Sequence, residues 1–101
     1  MHKVAGYFVL HTKWHTLDRL PEYQAGARSS LAEHGGKSLV YDVRPEVVEG
    51  TSELAATVIL EFADLATAKA WYNSPGYQAV LPIRLESSDG IGRFVSNAPA
   101  G

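Results

Sequence analysis

The chain reads as an α+β domain of the split βαβ, or ferredoxin-like, class. Two observations predict this. Apolar patterning of period two and of helical period alternates in the order β-α-β-β-α-β over 101 residues. Turn signals also fall where that order needs them, at Gly35-Gly36, Gly50 to Ser52 and Ser74-Pro75. Four antiparallel strands then form one sheet, with the helices on a single face.

Val4 to Thr12 reads as the first strand. Its two faces are Tyr7, Val9, His11 and Phe8, Leu10, Thr12. Both are largely apolar, so both should be covered, one by helices and one by a partner; a second copy of the chain, sheet against sheet, is the simplest partner. A loop with two histidines and a tryptophan follows, and Asp18 is placed to cap the first helix. Leu20, Tyr23, Ala27, Leu31 and His34 share one face of that helix, Pro21 sits in its first turn, and Gly35 can end it in a left-handed conformation. Lys37 to Val43 is the second strand, interrupted by Pro45. Leu54 to Phe62 is the third, with Leu54, Ala56, Val58, Leu60 and Phe62 on one side. Asp64 opens a helix through Tyr72. Ser74 caps a further helix whose first residue is Pro75, and Pro82 should kink or end it. Ser87 to Gly90 reads as a turn and Ile91 to Ser96 as the last strand. Residues 1–97 are expected to form a single domain and 98–101 a flexible tail.

The composition narrows the function. The formal net charge is -2 and no basic run occurs, which argues against nucleic-acid binding. The absence of cysteine removes disulfides, thiolate metal sites and a cysteine nucleophile. The apolar run Val4 to Leu10 is too short for a membrane span and lacks a signal-peptide pattern, so a cytoplasmic location is expected. His11 and His15 are four apart, but on a strand end and loop rather than a helix, which gives no metal site.

The segment from Phe62, reading FADLATAKAWYNSPGYQAVLPIR, resembles the domain-of-unknown-function 1330 family of the dimeric α/β-barrel (ABM-like) superfamily. Gly6-Tyr7, Tyr23, Gly35-Gly36 and Glu49-Gly50 support the resemblance, which extends from about Val4 to Val95. It implies a homodimer whose sheets form a barrel, and a cleft in each subunit between sheet and helices. It implies no established activity. The chain departs from the family between His11 and Asp18, where members usually carry an Asp-Pro-x-x-Tyr segment. The superfamily includes haem-degrading monooxygenases with an axial histidine on the second helix; this chain has no histidine after His34. It also includes cofactor-free monooxygenases and polyketide-type cyclases or isomerases.

Two functions fit these residues. One is a small cofactor-independent enzyme, isomerase/cyclase-like or monooxygenase-like, acting on a hydrophobic oxygenated molecule by acid–base chemistry. His11 is its leading acid or base, provided its face of the first strand meets the helices. Arg84 and Tyr77 complete the catalytic set, and Arg84 either clamps an anion or ion-pairs with Glu61, Glu49 or Asp42. Trp14, His15, Tyr41, Glu49, Glu61 and Trp71 are the substrate-binding candidates; the two glutamates qualify as bases if burial raises their pKa, and Trp71 doubles as a core anchor. No cofactor is required. The other function is a non-catalytic homodimeric ligand-binding or interaction module. A cleft with titratable groups favours the enzyme, and a filled core the module.

Overall fold

A computed structural model of the chain describes residues 4–97; the tail expected at 98–101 lies outside the described residues. The elements are β1 (Gly6–Trp14), α1 (Leu20–Glu33), β2 (Lys37–Asp42), β3 (Ala56–Phe62), α2 (Leu65–Tyr72), α3 (Pro75–Ser87) and β4 (Ser88–Ser96). All four strands form one antiparallel sheet in the order β2-β3-β1-β4. This is the ferredoxin-like α+β arrangement expected from the sequence. Among the described residues no helix is long and apolar enough to cross a membrane.

Register decides which face of the sheet the helices cover. Phe8 lies opposite Leu60 and Leu10 opposite Val58, while Tyr7 lies opposite Glu61 and His11 opposite Thr57. Directly opposed residues share a face, so the apolar set of β3 joins Phe8, Leu10 and Thr12. These three are buried, whereas Tyr7, Val9 and His11 are half-exposed on the open face. The helices therefore cover the Phe8 face, and the expectation that His11 points toward them is corrected. A bulge at Leu39 shifts the β2 register, pairing Ser38 with Leu60 but Val40 with Ile59.

Strands β1 and β3 begin two residues later than the sequence reading placed them, at Gly6 and Ala56, and three further features differ from it. Asp18 does not cap α1; the N-cap is Arg19 and makes no side-chain cap bond. Instead the Asp18 N–H donates to Thr16 Oγ1 at 3.3 Å. Helix α3 continues through Pro82, which faces solvent, because Leu81, Ile83 and Arg84 around it are buried in the core and hold the helix in place. The turn expected at Ser87 to Gly90 is instead the last residue of α3 followed directly by the start of β4, which pairs along β1 as far as Trp14 opposite Ser88. The other helix ends follow the sequence. Gly35 takes φ +65°, and the Gly36 and Gly35 N–H groups donate to Leu31 and Ala32 carbonyls at 2.9 and 3.2 Å, the Schellman closure. Asp64 Oδ1 accepts from Thr67 N at 2.8 Å, and Ser74 Oγ from Tyr77 N at 3.3 Å.

The core is Phe8, Leu10, Leu60, Phe62, Ala68, Trp71, Tyr77, Val80, Leu81 and Ile83. Helix α2 packs on β1, β3 and β4, whereas α1 packs chiefly on α3. The first helix thus stands away from the β2-β3-β1 half of the sheet.

Candidate functional site

The gap beneath α1 is a cavity of about 640 Å³. Phe8, Leu10, Val58 and Leu60 form its floor, and Leu20, Tyr23, Ala27 and Leu31 its roof. Both tryptophans of the chain, Trp14 and Trp71, contribute walls. The roof residues are the helical stripe read from the sequence, so one apolar face of α1 serves the cavity as well as the core. Tyr41 of β2 closes one side, its hydroxyl accepting from Gln24 Nε2 at 3.0 Å.

A buried polar chain runs from the roof of this cavity into the α1–α3 contact. Arg84 Nε donates to Tyr77 Oη at 3.4 Å, and Tyr77 Oη lies 2.7 Å from Tyr23 Oη. The guanidinium can only donate, but a phenol oxygen can accept twice, so either tyrosine can donate in this pair, and Arg84 also hydrogen-bonds Tyr23; in the order Arg84 to Tyr77 to Tyr23 the Tyr23 hydroxyl hydrogen is left for an acceptor beyond it. Tyr77 is 0% and Arg84 5% exposed. Burial, reinforced by Tyr77, pushes the Tyr23 pKa well above its ordinary value of 10.0. At Arg84, burial opposes the charged form, but Tyr77 and Tyr23 outweigh it and the pKa is raised, so the cation is retained. Nearby, Trp71 Nε1 donates to Ser30 Oγ at 3.1 Å, which satisfies the indole in the core.

The nine residues singled out from the sequence are therefore divided. Trp14, Tyr41 and Trp71 line the cavity. Tyr77 and Arg84 stand behind Tyr23 rather than on the wall. The ion pair considered for Arg84 with Glu61, Glu49 or Asp42 is replaced by its bond to Tyr77. His11 lies outside the lining, with Nδ1 3.1 Å from Thr57 Oγ1 on the open face. His15 is exposed and pairs with Asp89 at 3.2 Å. Glu61 is half-buried on the open face, where its hydrogen bond to Tyr7 is the main cause of a raised tyrosine pKa. Glu49 is exposed in the loop between β2 and β3, so the burial that would make it a base is absent. Tyr23 is the site residue that sequence reasoning left in the scaffold. Its signal was a hydroxyl within an otherwise apolar helical stripe, which requires a partner once buried.

The profile for the Domain of unknown function DUF1330 matches residues 5–98. The chain belongs to the DUF1330 family. No curated protein matches it in sequence. Among solved structures, it is similar to RPA0582, a protein of unknown function from Rhodopseudomonas palustris, with TM-score 0.78 and 12% identity over 98% of this chain and 86% of that one. It is also similar to SnoaB, a cofactor-independent oxygenase from Streptomyces nogalater, with TM-score 0.63 and 11% identity over 96% of each chain. A dimeric ferredoxin-like protein of unknown function from Thermobifida fusca gives TM-score 0.54 and 10% identity over 94% of this chain and 92% of that one. At these identities the likeness is one of fold.

Proposed function

We propose that this DUF1330 chain is a cofactor-independent enzyme that takes a hydrophobic, oxygenated organic molecule into the cavity beneath α1. The observation that carries the reading is the cavity itself. Its volume of about 640 Å³ suits a small organic ligand, and its walls are mainly apolar, with a few hydroxyl groups and the charged residues Lys13, Arg28, Asp42 and Arg44. The Arg84–Tyr77–Tyr23 chain supplies the chemistry. A tyrosine whose pKa is raised stays protonated, so in the proton order that runs from Arg84 through Tyr77, Tyr23 acts as a hydrogen-bond donor to a developing oxyanion and not as a base. Oxyanion stabilisation is the step shared by enolisation, isomerisation and cyclisation of such molecules; Tyr23 supplies only that, and the proton leaving carbon passes to solvent water. The likeness in fold to a cofactor-independent oxygenase supports the same class.

The functional unit in this proposal is a homodimer. Tyr7, Val9 and Ile59 are half-exposed on the open face, and Ile91 and Val95 of β4 are exposed beside them. An apolar sheet face of this kind calls for a cover, and a fold relative described as dimeric supports a second copy in that role.

A binding-only reading has one observation in its favour: His11, the leading base from sequence, does not line the cavity. Hydrogen–deuterium exchange at the activated carbon of 2-tetralone, an apolar enolisable ketone, separates the two. The enzyme reading expects exchange faster than in buffer, lowered about 100-fold by Tyr23→Phe. Binding of 2-tetralone without accelerated exchange would leave only the binding module. Retained binding in Leu60→Trp, which fills the cavity floor, would remove the cavity as the site.

A further inference from the structure

Resting on the cavity being a ligand site, we infer that its ligand is an amphipathic carboxylate, with an apolar body in the cavity and the anionic head at Arg28 and Arg44. The chain as a whole carries a formal charge of -2. The cavity wall reverses that sign: its charged residues are Lys13, Arg28 and Arg44 against the single carboxylate of Asp42. None of these cations forms an ion pair with a carboxylate among the described residues; the pairs there are His15 with Asp89 and Arg19 with Glu22. Asp42 is occupied locally, its Oδ1 accepting from the Arg44 backbone N–H at 2.9 Å.

Arg28 projects from α1, and Arg44 follows the end of β2. Both are exposed in their own surroundings yet line the same cavity, so they are hydrated cations bordering an apolar floor. Two guanidinium groups with their donor forks free suit a planar carboxylate better than a point charge. The floor of Phe8, Leu10, Val58 and Leu60 holds no ionisable group, so the head of a bound amphiphile is directed away from it.

The test compares decanoate with decan-1-ol, which share an apolar body and differ in charge. Trp14 and Trp71 report binding directly, because both line the cavity and the chain has no other tryptophan. Exposed charge contacts are individually weak, so decanoate is expected to bind about five- to tenfold more tightly than the alcohol at low salt. That preference shrinks at about 1 M salt, where the screening length falls to about 3 Å. The double substitution Arg28→Gln with Arg44→Gln is expected to bring decanoate down to the alcohol's affinity, with far-ultraviolet circular dichroism confirming the fold. Equal or tighter binding of decan-1-ol by the unaltered protein overturns the carboxylate inference while leaving the cavity reading intact. Failure of both probes to change the tryptophan emission overturns the cavity reading itself. A decanoate preference that survives the double substitution overturns the assignment to these two arginines.

Discussion

Replacing Tyr77 by phenylalanine isolates the polar chain behind the cavity. The ring is kept, so its packing on Trp71, with centroids 4.2 Å apart, is preserved. Only the hydroxyl is lost, and with it the 2.7 Å bond to Tyr23 and the 3.4 Å bond from Arg84. Arg84 Nε loses its acceptor at a site where the residue is only 5% exposed, and Tyr23 is the hydroxyl that remains beside the guanidinium. Leaving a buried donor without a partner costs about 1–3 kcal/mol, and a charged one lies toward the upper end, so we expect Tyr77→Phe to destabilise by about 2–3 kcal/mol. For a domain of this size 1 kcal/mol corresponds to roughly 4–8 °C, so the melting temperature should fall by roughly 8 °C or more.

Tyr23→Phe is the informative control. It leaves Tyr77 still accepting from Arg84, so its cost should be about 1 kcal/mol. Urea unfolding followed by circular dichroism measures both, with an unchanged m-value required for the comparison. A cost for Tyr77→Phe below about 0.5 kcal/mol, or a larger cost for Tyr23→Phe, would refute Tyr77 as the hydroxyl that links Arg84 to Tyr23.

The raised pKa of Tyr23 makes stability depend on alkaline pH. The folded state holds this proton more tightly than the unfolded chain, so the contribution is complete below pH 10 and is lost as pH rises beyond it, at up to about 1.4 kcal/mol per unit. Unfolding free energies from pH 9 to 11 should fall less steeply in Tyr23→Phe; parallel curves would contradict the assignment. Gly6→Ala should destabilise by about 1–3 kcal/mol, because a Cβ there would lie 2.5 Å from the Asp64 and Leu65 backbone, where α2 begins; a thermal melt within 2 °C of the unaltered protein would show that this contact relaxes freely. Val9→Glu places a charge at the centre of the open sheet face and, on the proposed homodimer, should convert it to a monomer in sedimentation velocity; an unaltered protein that sediments as a monomer would remove the dimer proposal. His11→Ala should leave decanoate binding to the cavity unchanged, since His11 does not line it.

Much of the fold was legible because the signals were local. The Ser74-Pro75 restart, the Asp64 cap and the Gly35 closure each rest on residues within one turn of each other. The misplacement of His11 has a different cause. Both faces of β1 are apolar, so its own pattern does not say which one meets the helices. The third strand does say: Val58, Leu60 and Phe62 are apolar, whereas Thr57 and Glu61 mark the other side as outward, and antiparallel pairing transfers that asymmetry to β1. Of the kink or end expected at Pro82, the end does not occur, since a local rule about helix breaking yielded to the burial of Leu81, Ile83 and Arg84. The cavity was the least legible feature. It arises because α1 leans on α3 rather than on the sheet, a consequence of helix–helix packing that no single stretch of sequence displays. Arg28 and Arg44 line it from distant segments and carry no shared motif.

The alternation in β1 also assigns the strand two separate duties. Phe8, Leu10 and Thr12 face the cavity, while Tyr7, Val9 and His11 face the uncovered side of the sheet, where the proposed second copy would sit. A single step along the chain therefore moves a substitution from one surface to the other. Leu10→Trp should occupy the cavity and abolish decanoate binding with dimerisation intact, whereas Val9→Glu should split the dimer without touching the cavity wall. The two variants together ask whether the surfaces are coupled. If monomeric Val9→Glu binds decanoate as tightly as the unaltered protein, each subunit holds a complete site. If it binds more weakly, the second copy must brace the shared sheet or close the cavity mouth, because no lining residue has been changed.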